Sequence, residues 1–126
     1  MSKEVISSEN APKAIGPYSS ALKVGDMLFV SGQIPVNPAT GEMPEAITAQ
    51  AEQSLKNLKA LVESAGYTLA DVVKTTVFLA DIADFAAINE VYASFFATPY
   101  PTRSCVAVKD LPKGARIEIE CICVKA

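Results

Sequence analysis

Apolar residues recur along the chain with two different periods, and the change of period separates predicted helices from predicted strands. Between residues 47 and 65 the steps are four and three, the spacing of one face of an amphipathic helix. These apolar positions are Ile47, Ala51, Leu55, Leu58, Val62 and Ala65. Gly66 is predicted to end this helix, because glycine is common just after the last helical turn.

A second helix is predicted after Asp84, which can cap its first turn. Its apolar face consists of Phe85, Ile88, Tyr92 and Phe95. Prolines at 99 and 101 stop it. Six other short segments, separated by turns and loops, are predicted to be strands, and residues 72–80 among them are rich in β-branched residues. They are residues 5–6, 18–24, 27–31, 72–80, 104–109 and 116–124.

These elements predict a single domain over residues 1–126, of the α+β class, with two helices on one face of a mixed sheet of about six strands. Residues 27–30 and 72–79 carry apolar side chains on both faces, although a strand covered on one side only should alternate. We therefore expect the second face of the sheet to be buried in a homo-oligomer.

Composition excludes several functions. Half of the 126 residues are hydrophobic and a fifth are charged, as in a folded soluble protein. The net charge is −3 and the basic residues are scattered, which argues against broad nucleic-acid binding. No apolar run approaches the ~20 residues of a membrane helix, and residues 1–12 lack the apolar stretch of a signal peptide. We expect a cytoplasmic protein.

The chain contains no histidine and three cysteines. Ser-His-Asp and Cys-His catalysis are therefore impossible within one chain, as are histidine-based metal sites. The odd number of cysteines argues against a disulfide scaffold, and the spacing of Cys105, Cys121 and Cys123 does not form a zinc motif. No metal site is predicted.

Two charged residues on the last two predicted strands are candidates for chemistry. Glu118 and Glu120 share one face of their strand, so Glu118 is either part of a solvated edge or a carboxylate at a cleft, acting as base or water anchor. Arg103 either forms a surface salt bridge or grips a carboxylate with its planar fork. A hairpin turn at Pro112 is expected to bring Arg103 and Glu118 side by side.

Four further positions allow both a structural and a functional interpretation. Cys105 is a nucleophile or a small buried strand residue, and the missing histidine favours the second. Tyr18 is either a core aromatic residue whose hydroxyl reaches solvent, or a residue that lines a cleft. At Ser31-Gly32 the glycine marks a bulge, an ordinary turn or the close approach of a ligand. Asn89 alone indicates nothing.

Ordered segments through almost the whole chain resemble the RidA family of reactive-intermediate deaminases. They are AIGPY at 14–18, SGQI at 31–34, VKTTV at 73–77, DF at 84–85, NEVY at 89–92, PTRSC at 101–105, LPKG at 111–114 and IEIE at 117–120. The resemblance implies a chorismate-mutase-like fold and a homotrimer with three clefts between subunits.

The resemblance also implies an activity, the cofactor-free hydrolysis of 2-imino acids such as 2-iminobutanoate and 2-iminopropanoate, or their enamines such as 2-aminoacrylate, to 2-keto acids and ammonia. Such intermediates are released by pyridoxal-phosphate dehydratases. It makes Arg103 the carboxylate anchor and Glu118 the residue that orients water, with the cleft lined by Tyr18, Ser31, Gly32, Asn89 and Cys105. Thr102 departs from the alanine of many members, which bears on substrate preference.

Three alternatives stay open at this stage. A non-catalytic regulator that binds small carboxylates would also need Arg103, although it gains nothing from Glu118. RNA cleavage or translation inhibition, reported for members of the family, is disfavoured by the acidic balance and the missing histidine. A redox-responsive chaperone role is not indicated by any particular residue.

Overall fold

The computed structural model describes residues 2–125 and contains one six-stranded sheet with two α-helices. Along the chain the elements are β1 (Glu4–Ile6), β2 (Ala21–Val24), β3 (Met27–Gln33), α1 (Ile47–Ser64), β4 (Val72–Leu79), α2 (Phe85–Phe95), β5 (Thr102–Ala107) and β6 (Ile117–Val124). The sheet order is β1-β2-β3-β6-β4-β5, and only β4 and β5 are parallel neighbours. The predicted mixed sheet of about six strands is confirmed.

Helix α1 begins and ends where the apolar periodicity indicated. Gly66 follows it with a φ of 84°, a left-handed conformation that glycine adopts without steric cost. The N–H of Gly66 donates to the carbonyl of Glu63 at 3.0 Å, and that of Tyr67 donates to the carbonyl of Val62 at 3.1 Å. These bonds satisfy carbonyls of the last turn that would otherwise lack a partner.

The core lies between the two helices and one face of the sheet. In β6 the side chains of Ile117, Ile119, Cys121 and Cys123 are all buried, whereas Glu118 and Glu120 lie on the opposite face. The alternation predicted for this strand is confirmed. Each fully buried leucine or isoleucine stabilises the fold by about 1.5–3 kcal/mol, so this layer fixes which face of β6 points outward.

The second face of the sheet carries apolar side chains that no described element covers. Met27 and Phe29 of β3 are 39% and 40% exposed, and Val73 of β4 is 44% exposed. Their alternate neighbours, such as Leu28, are completely buried beneath the helices. Within residues 2–125 this outer face therefore stays open to solvent in a single chain.

Two details of the predicted topology are wrong. Asp84 does not cap α2 with its side chain, because both its carboxylate oxygens accept hydrogen bonds from Arg116. Strands β5 and β6 do not form a hairpin, since β4 lies between them. The apolar alternation of β6 suits a central strand with neighbours on both sides, whereas β5 is largely exposed and lies at the edge.

Candidate functional site

Arg103 lies on β5 on the helix-facing side of the sheet, where three side chains of α2 surround its guanidinium group. Its Nη1 donates a 2.8 Å hydrogen bond to Oδ1 of Asn89. Its Cζ lies 4.8 Å from the ring centroid of Tyr92 and 5.3 Å from that of Phe85, within the range of a cation–π attraction. Phe85, Asn89 and Tyr92 follow one another at steps of four and three, so they share one face of the helix.

The remaining donors of Arg103 are what this arrangement offers to a ligand. A guanidinium group has five N–H donors, and the hydrogen bond to Asn89 is the one that Arg103 makes within residues 2–125. A small carboxylate can therefore still be bound through two parallel N–H···O bonds. The neighbouring Thr102 hydroxyl donates to the carbonyl of Val73 at 2.9 Å, so it is engaged within the sheet.

Cys105 lies on the same side of β5 as Arg103, because its register partner Val77 is completely buried beneath the helices. Burial raises the pKa of the Cys105 thiol, and the positive charge of Arg103 offsets part of this effect. The thiol form therefore dominates near neutral pH, which does not favour a nucleophilic role. We call Arg103, Asn89 and Cys105, with Phe85 and Tyr92, the cationic half-site.

Glu118 projects from the opposite side of the sheet, directly against Gly32. A Cβ atom placed on Gly32 would lie 2.7 Å from Oε2 and 2.8 Å from Cδ of Glu118. Gly32 belongs to a β-bulge, since the pairing of β3 with β6 shifts between Val30 and Gln33. The glycine is thus both a bulge and a point of close approach, and the approaching group is the carboxylate of Glu118.

The surroundings of Glu118 disfavour its charged form. Partial burial is the largest cause that raises the pKa of Glu118, and the negative charge of Glu120 raises it further. A carboxyl group with a raised pKa is suited to take up and release protons nearer neutral pH. This property is what a base that activates water requires.

Ser31 and Tyr18 lie beside Gly32. The Ser31 hydroxyl donates to the carbonyl of Ser19 at 2.7 Å, and this bond holds the segment next to Tyr18 against β3. Tyr18 is 54% exposed, so it is not a core aromatic residue, and it lines with Gly32 a groove of about 570 Å³. We call Glu118, Gly32, Ser31 and Tyr18 the acidic half-site.

The cationic and acidic half-sites lie on opposite faces of the sheet within one chain. Arg103 pairs in register with Thr75, whose side chain points to α2 and contacts the Tyr92 hydroxyl at 2.8 Å. Glu118 lies on the face that carries Gly32. The expectation that a hairpin makes Arg103 and Glu118 neighbours within the chain is therefore wrong. Within one chain a small substrate cannot contact both half-sites.

Sequence reasoning missed Phe85 and Tyr92 as contacts of the arginine. Both were assigned only to the apolar stripe of the second helix, and Asn89 lies next to that stripe. The usable signal was the spacing of Phe85, Asn89 and Tyr92, which puts an amide between two aromatic rings on one helical face.

Comparison with known proteins supplies the family. The model of the family described as endoribonuclease L-PSP matches residues 8–125. The chain belongs to this family. It is 55% identical to the 2-iminobutanoate/2-iminopropanoate deaminase of Escherichia coli over 128 residues, covering 99% of each chain. The resemblance to RidA proteins is thereby confirmed.

Two solved structures have the same fold as this chain. The crystal structure of E. coli TdcF with bound serine has a TM-score of 0.95 at 52% identity and covers 98% of this chain and 99% of that one. RidA from the Antarctic bacterium Psychrobacter sp. has a TM-score of 0.94 at 47% identity, and the match covers 97% of this chain and 99% of that one.

In the part of the chain that the structure describes, no helix is long and apolar enough to span a membrane.

Proposed function

We propose that this chain hydrolyses 2-imino acids and their enamine tautomers to 2-keto acids and ammonia. The observation that carries the proposal is Arg103, fixed beside Asn89 with donors left for a carboxylate. It is supported by the 55% identity to a relative named for 2-iminobutanoate and 2-iminopropanoate deamination. A 2-imino acid carries a carboxylate next to its electrophilic C=N carbon, so binding the first group positions the second.

Glu118 would move the protons of the reaction. Its carboxylate accepts a proton from water as the water oxygen bonds to the C=N carbon, and the proton passes to the imine nitrogen. In the resulting carbinolamine the hydroxyl proton follows the same route. The C–N bond then breaks, the C=O bond forms and ammonia leaves. A positioned acid–base group typically contributes about 10²–10⁴-fold.

The cleft would lie between subunits of a homotrimer. The open outer face of the sheet, with Met27, Phe29 and Val73 partly exposed, supplies an apolar surface for association. The opposite orientation of the two half-sites supports an intersubunit cleft, since one substrate would contact both residues only if Arg103 came from one subunit and Glu118 from another. Tyr18, Ser31 and Gly32 then line the cleft on the side of Glu118, and Asn89 and Cys105 on the side of Arg103.

The competing functions lack a comparable observation. A pure carboxylate-binding regulator gains nothing from Glu118, a second carboxylate that would repel its ligand. Although the family is described by an endoribonuclease name, the chain has a net charge of −3 and no histidine. RNA binding would require a basic surface. We infer that the imines are supplied by pyridoxal-phosphate dehydratases acting on serine or threonine.

The test couples the protein to a threonine dehydratase and traps free imine with semicarbazide. We expect wild type to accelerate 2-keto acid release and to reduce the trapped imine. Arg103→Ala should abolish the acceleration, because the substrate loses its anchor. Glu118→Gln should reduce the rate at least 10²-fold, because an amide cannot accept the proton of water.

Matched controls separate these effects from a general loss of charge. Lys109→Ala removes an exposed positive charge near Arg103 in sequence, and Glu63→Gln neutralises an exposed carboxylate on α1. Both should retain wild-type rates. Full activity of Arg103→Ala would show that Arg103 does not anchor the substrate carboxylate. An inactive Cys105→Ala together with an active Glu118→Gln would replace the proposed mechanism by one that uses the thiol.

A further inference from the structure

The guanidinium group of Arg103 lies within cation–π distance of two aromatic rings of α2. The ring of Tyr92 is 4.8 Å from its Cζ and that of Phe85 is 5.3 Å away, while Asn89 accepts a hydrogen bond from Nη1. Together they give the guanidinium group three contacts from one face of α2. We propose that Phe85 and Tyr92 are positioning residues, which hold Arg103 in the orientation that receives the substrate carboxylate.

Tyr92 is itself fixed within the core. Tyr92 is 6% exposed, and its hydroxyl contacts at 2.8 Å the hydroxyl of Thr75, a residue with no exposed surface. Its centroid lies 4.7 Å from that of Phe96. Since Thr75 is also the register partner of Arg103 on the neighbouring strand, the arginine and the ring beneath it are tied to the same point of β4.

Phe85 has a different position, because it is 37% exposed at the first turn of α2. Its ring therefore contributes less to the core than Tyr92, yet it still lies within cation–π distance of Arg103. A substitution at Phe85 consequently changes the surroundings of the guanidinium group with little effect on the fold. This makes Phe85 the position at which the proposal can be tested.

The physical benefit is preorganisation. An arginine side chain has several rotatable bonds, and binding a carboxylate in one geometry costs the freedom of those bonds. A guanidinium group that is already restrained loses less on binding, so affinity rises without any new contact to the ligand. The inference rests on the proposed function, because it assumes that Arg103 binds the substrate carboxylate.

The experiment measures three quantities: the dissociation constant for 2-oxobutanoate, a 2-keto acid product, by calorimetry, and the separate kcat and KM values for imine hydrolysis. For Phe85→Leu we expect both the dissociation constant and KM to rise about 5- to 10-fold with kcat within about twofold of wild type. Phe85→Tyr keeps an aromatic ring and should restore near wild-type values. Tyr92→Phe, which loses only the contact to Thr75, should raise KM about two- to threefold.

Two controls show whether the effect passes through Arg103. Phe95→Leu makes the same replacement on the same helix at a ring that does not contact the guanidinium group, and it should leave both constants unchanged. In an Arg103→Lys background, Phe85→Leu should change the logarithms of the dissociation constant and of KM by less than half as much as in wild type. The reason is that an ammonium group has no planar fork to orient.

Several results would overturn the inference. One is that Phe85→Leu binds 2-oxobutanoate as tightly as Phe95→Leu does. A second is that Phe85→Leu lowers kcat while KM stays unchanged. A third is that Phe85→Leu changes the dissociation constant and KM equally in the Arg103→Lys background and in wild type. The inference would also be wrong if wild type did not bind 2-oxobutanoate, or if removing Arg103 did not weaken that binding. The proposed function fails separately: Arg103-dependent binding sensitive to Phe85, without accelerated imine hydrolysis, would retain the positioning role and reject the deaminase activity.

Discussion

Glu118 shows how the surroundings of one residue set the conditions under which it can react. Partial burial and the neighbouring Glu120 raise its pKa, and Gly32 provides the space that its carboxylate occupies. Because the proposed base is the ionised carboxylate, activity should rise with pH as Glu118 loses its proton. The acidic limb of the pH profile therefore reports on this residue.

At the residue scale we expect Glu120→Gln to move that limb of the kcat/KM profile to lower pH. The substitution removes a negative charge that raises the pKa of Glu118, so Glu118 ionises earlier as pH rises. Glu63→Gln, which neutralises an exposed carboxylate on α1, should leave the limb in place. A limb that stays fixed or moves upward in Glu120→Gln would show that another group controls the profile.

Helix α1 does more than cover the sheet, because its buried polar residues fix the segment that follows the bulge. Asn57, with no exposed surface, donates from Nδ2 to the carbonyls of Ile34 and Val36 at 3.2 and 2.9 Å. Gln50 donates to the carbonyl of Pro44 at 2.8 Å and accepts from the N–H of Arg116 at 2.9 Å. The helix thus connects the loop after β3 to the start of β6, which carries Glu118.

At the element scale we expect Asn57→Leu to lower the free energy of unfolding by about 1–3 kcal/mol, because the buried carbonyl of Val36 and the partly buried carbonyl of Ile34 lose their donor. Urea denaturation measures the loss, and all variants are compared at one protein concentration because the apparent stability of an oligomer depends on that concentration. Gln53→Leu removes only the bond to Oδ1 of Asn57 and should cost about 0.5–1.5 kcal/mol. Equal losses in both variants would contradict the role of Asn57 as the anchor of this loop.

The arrangement of elements explains what could be predicted from the sequence. Two local signals in the sequence were sufficient. The alternation in residues 117–124 predicted which face of β6 is buried, and Gly66 predicted the end of α1. The partner of β5 is a non-local property, because the connection through Pro112 suits either a hairpin or a crossover. For the same reason the stripe of Phe85 and Tyr92 predicted a helix but not the arginine against which it packs. Arg103 and Glu118 were candidates from their strand positions, their roles came from the resemblance, and their placement on two faces required the sheet order.

For the whole molecule the important feature is the separation of the two half-sites by the sheet. Neither half-site is sufficient for the proposed reaction, since one binds the carboxylate and the other moves protons. Association through the outer face would bring the halves of different subunits together. The molecule that performs the reaction is then the assembly, with as many clefts as subunits.

At this scale we expect two inactive variants to restore activity when their subunits mix. An equimolar mixture of Arg103→Ala and Glu118→Gln, exchanged in mild denaturant, should reach about one quarter of wild-type activity, because random assembly gives that share of clefts both intact residues. Native mass spectrometry confirms that subunits have exchanged.

The matched control mixes Arg103→Ala with the double variant Arg103→Ala/Glu118→Gln. No cleft in that mixture contains an intact Arg103, so it should remain inactive. Exchanged mixtures of the two single variants that stay inactive as well would show that each site is built within one chain, or that the two residues do not act on one substrate.

Gly32 has a consequence for how relatives of this chain are interpreted. Its φ lies outside the left-handed region, so the backbone there would accept alanine without strain, and what excludes a methyl group is the carboxylate of Glu118. We therefore expect a homologue with alanine at this position to keep the fold while its glutamate is displaced. A glycine opposite the glutamate is then as much a mark of a competent site as the two charged residues.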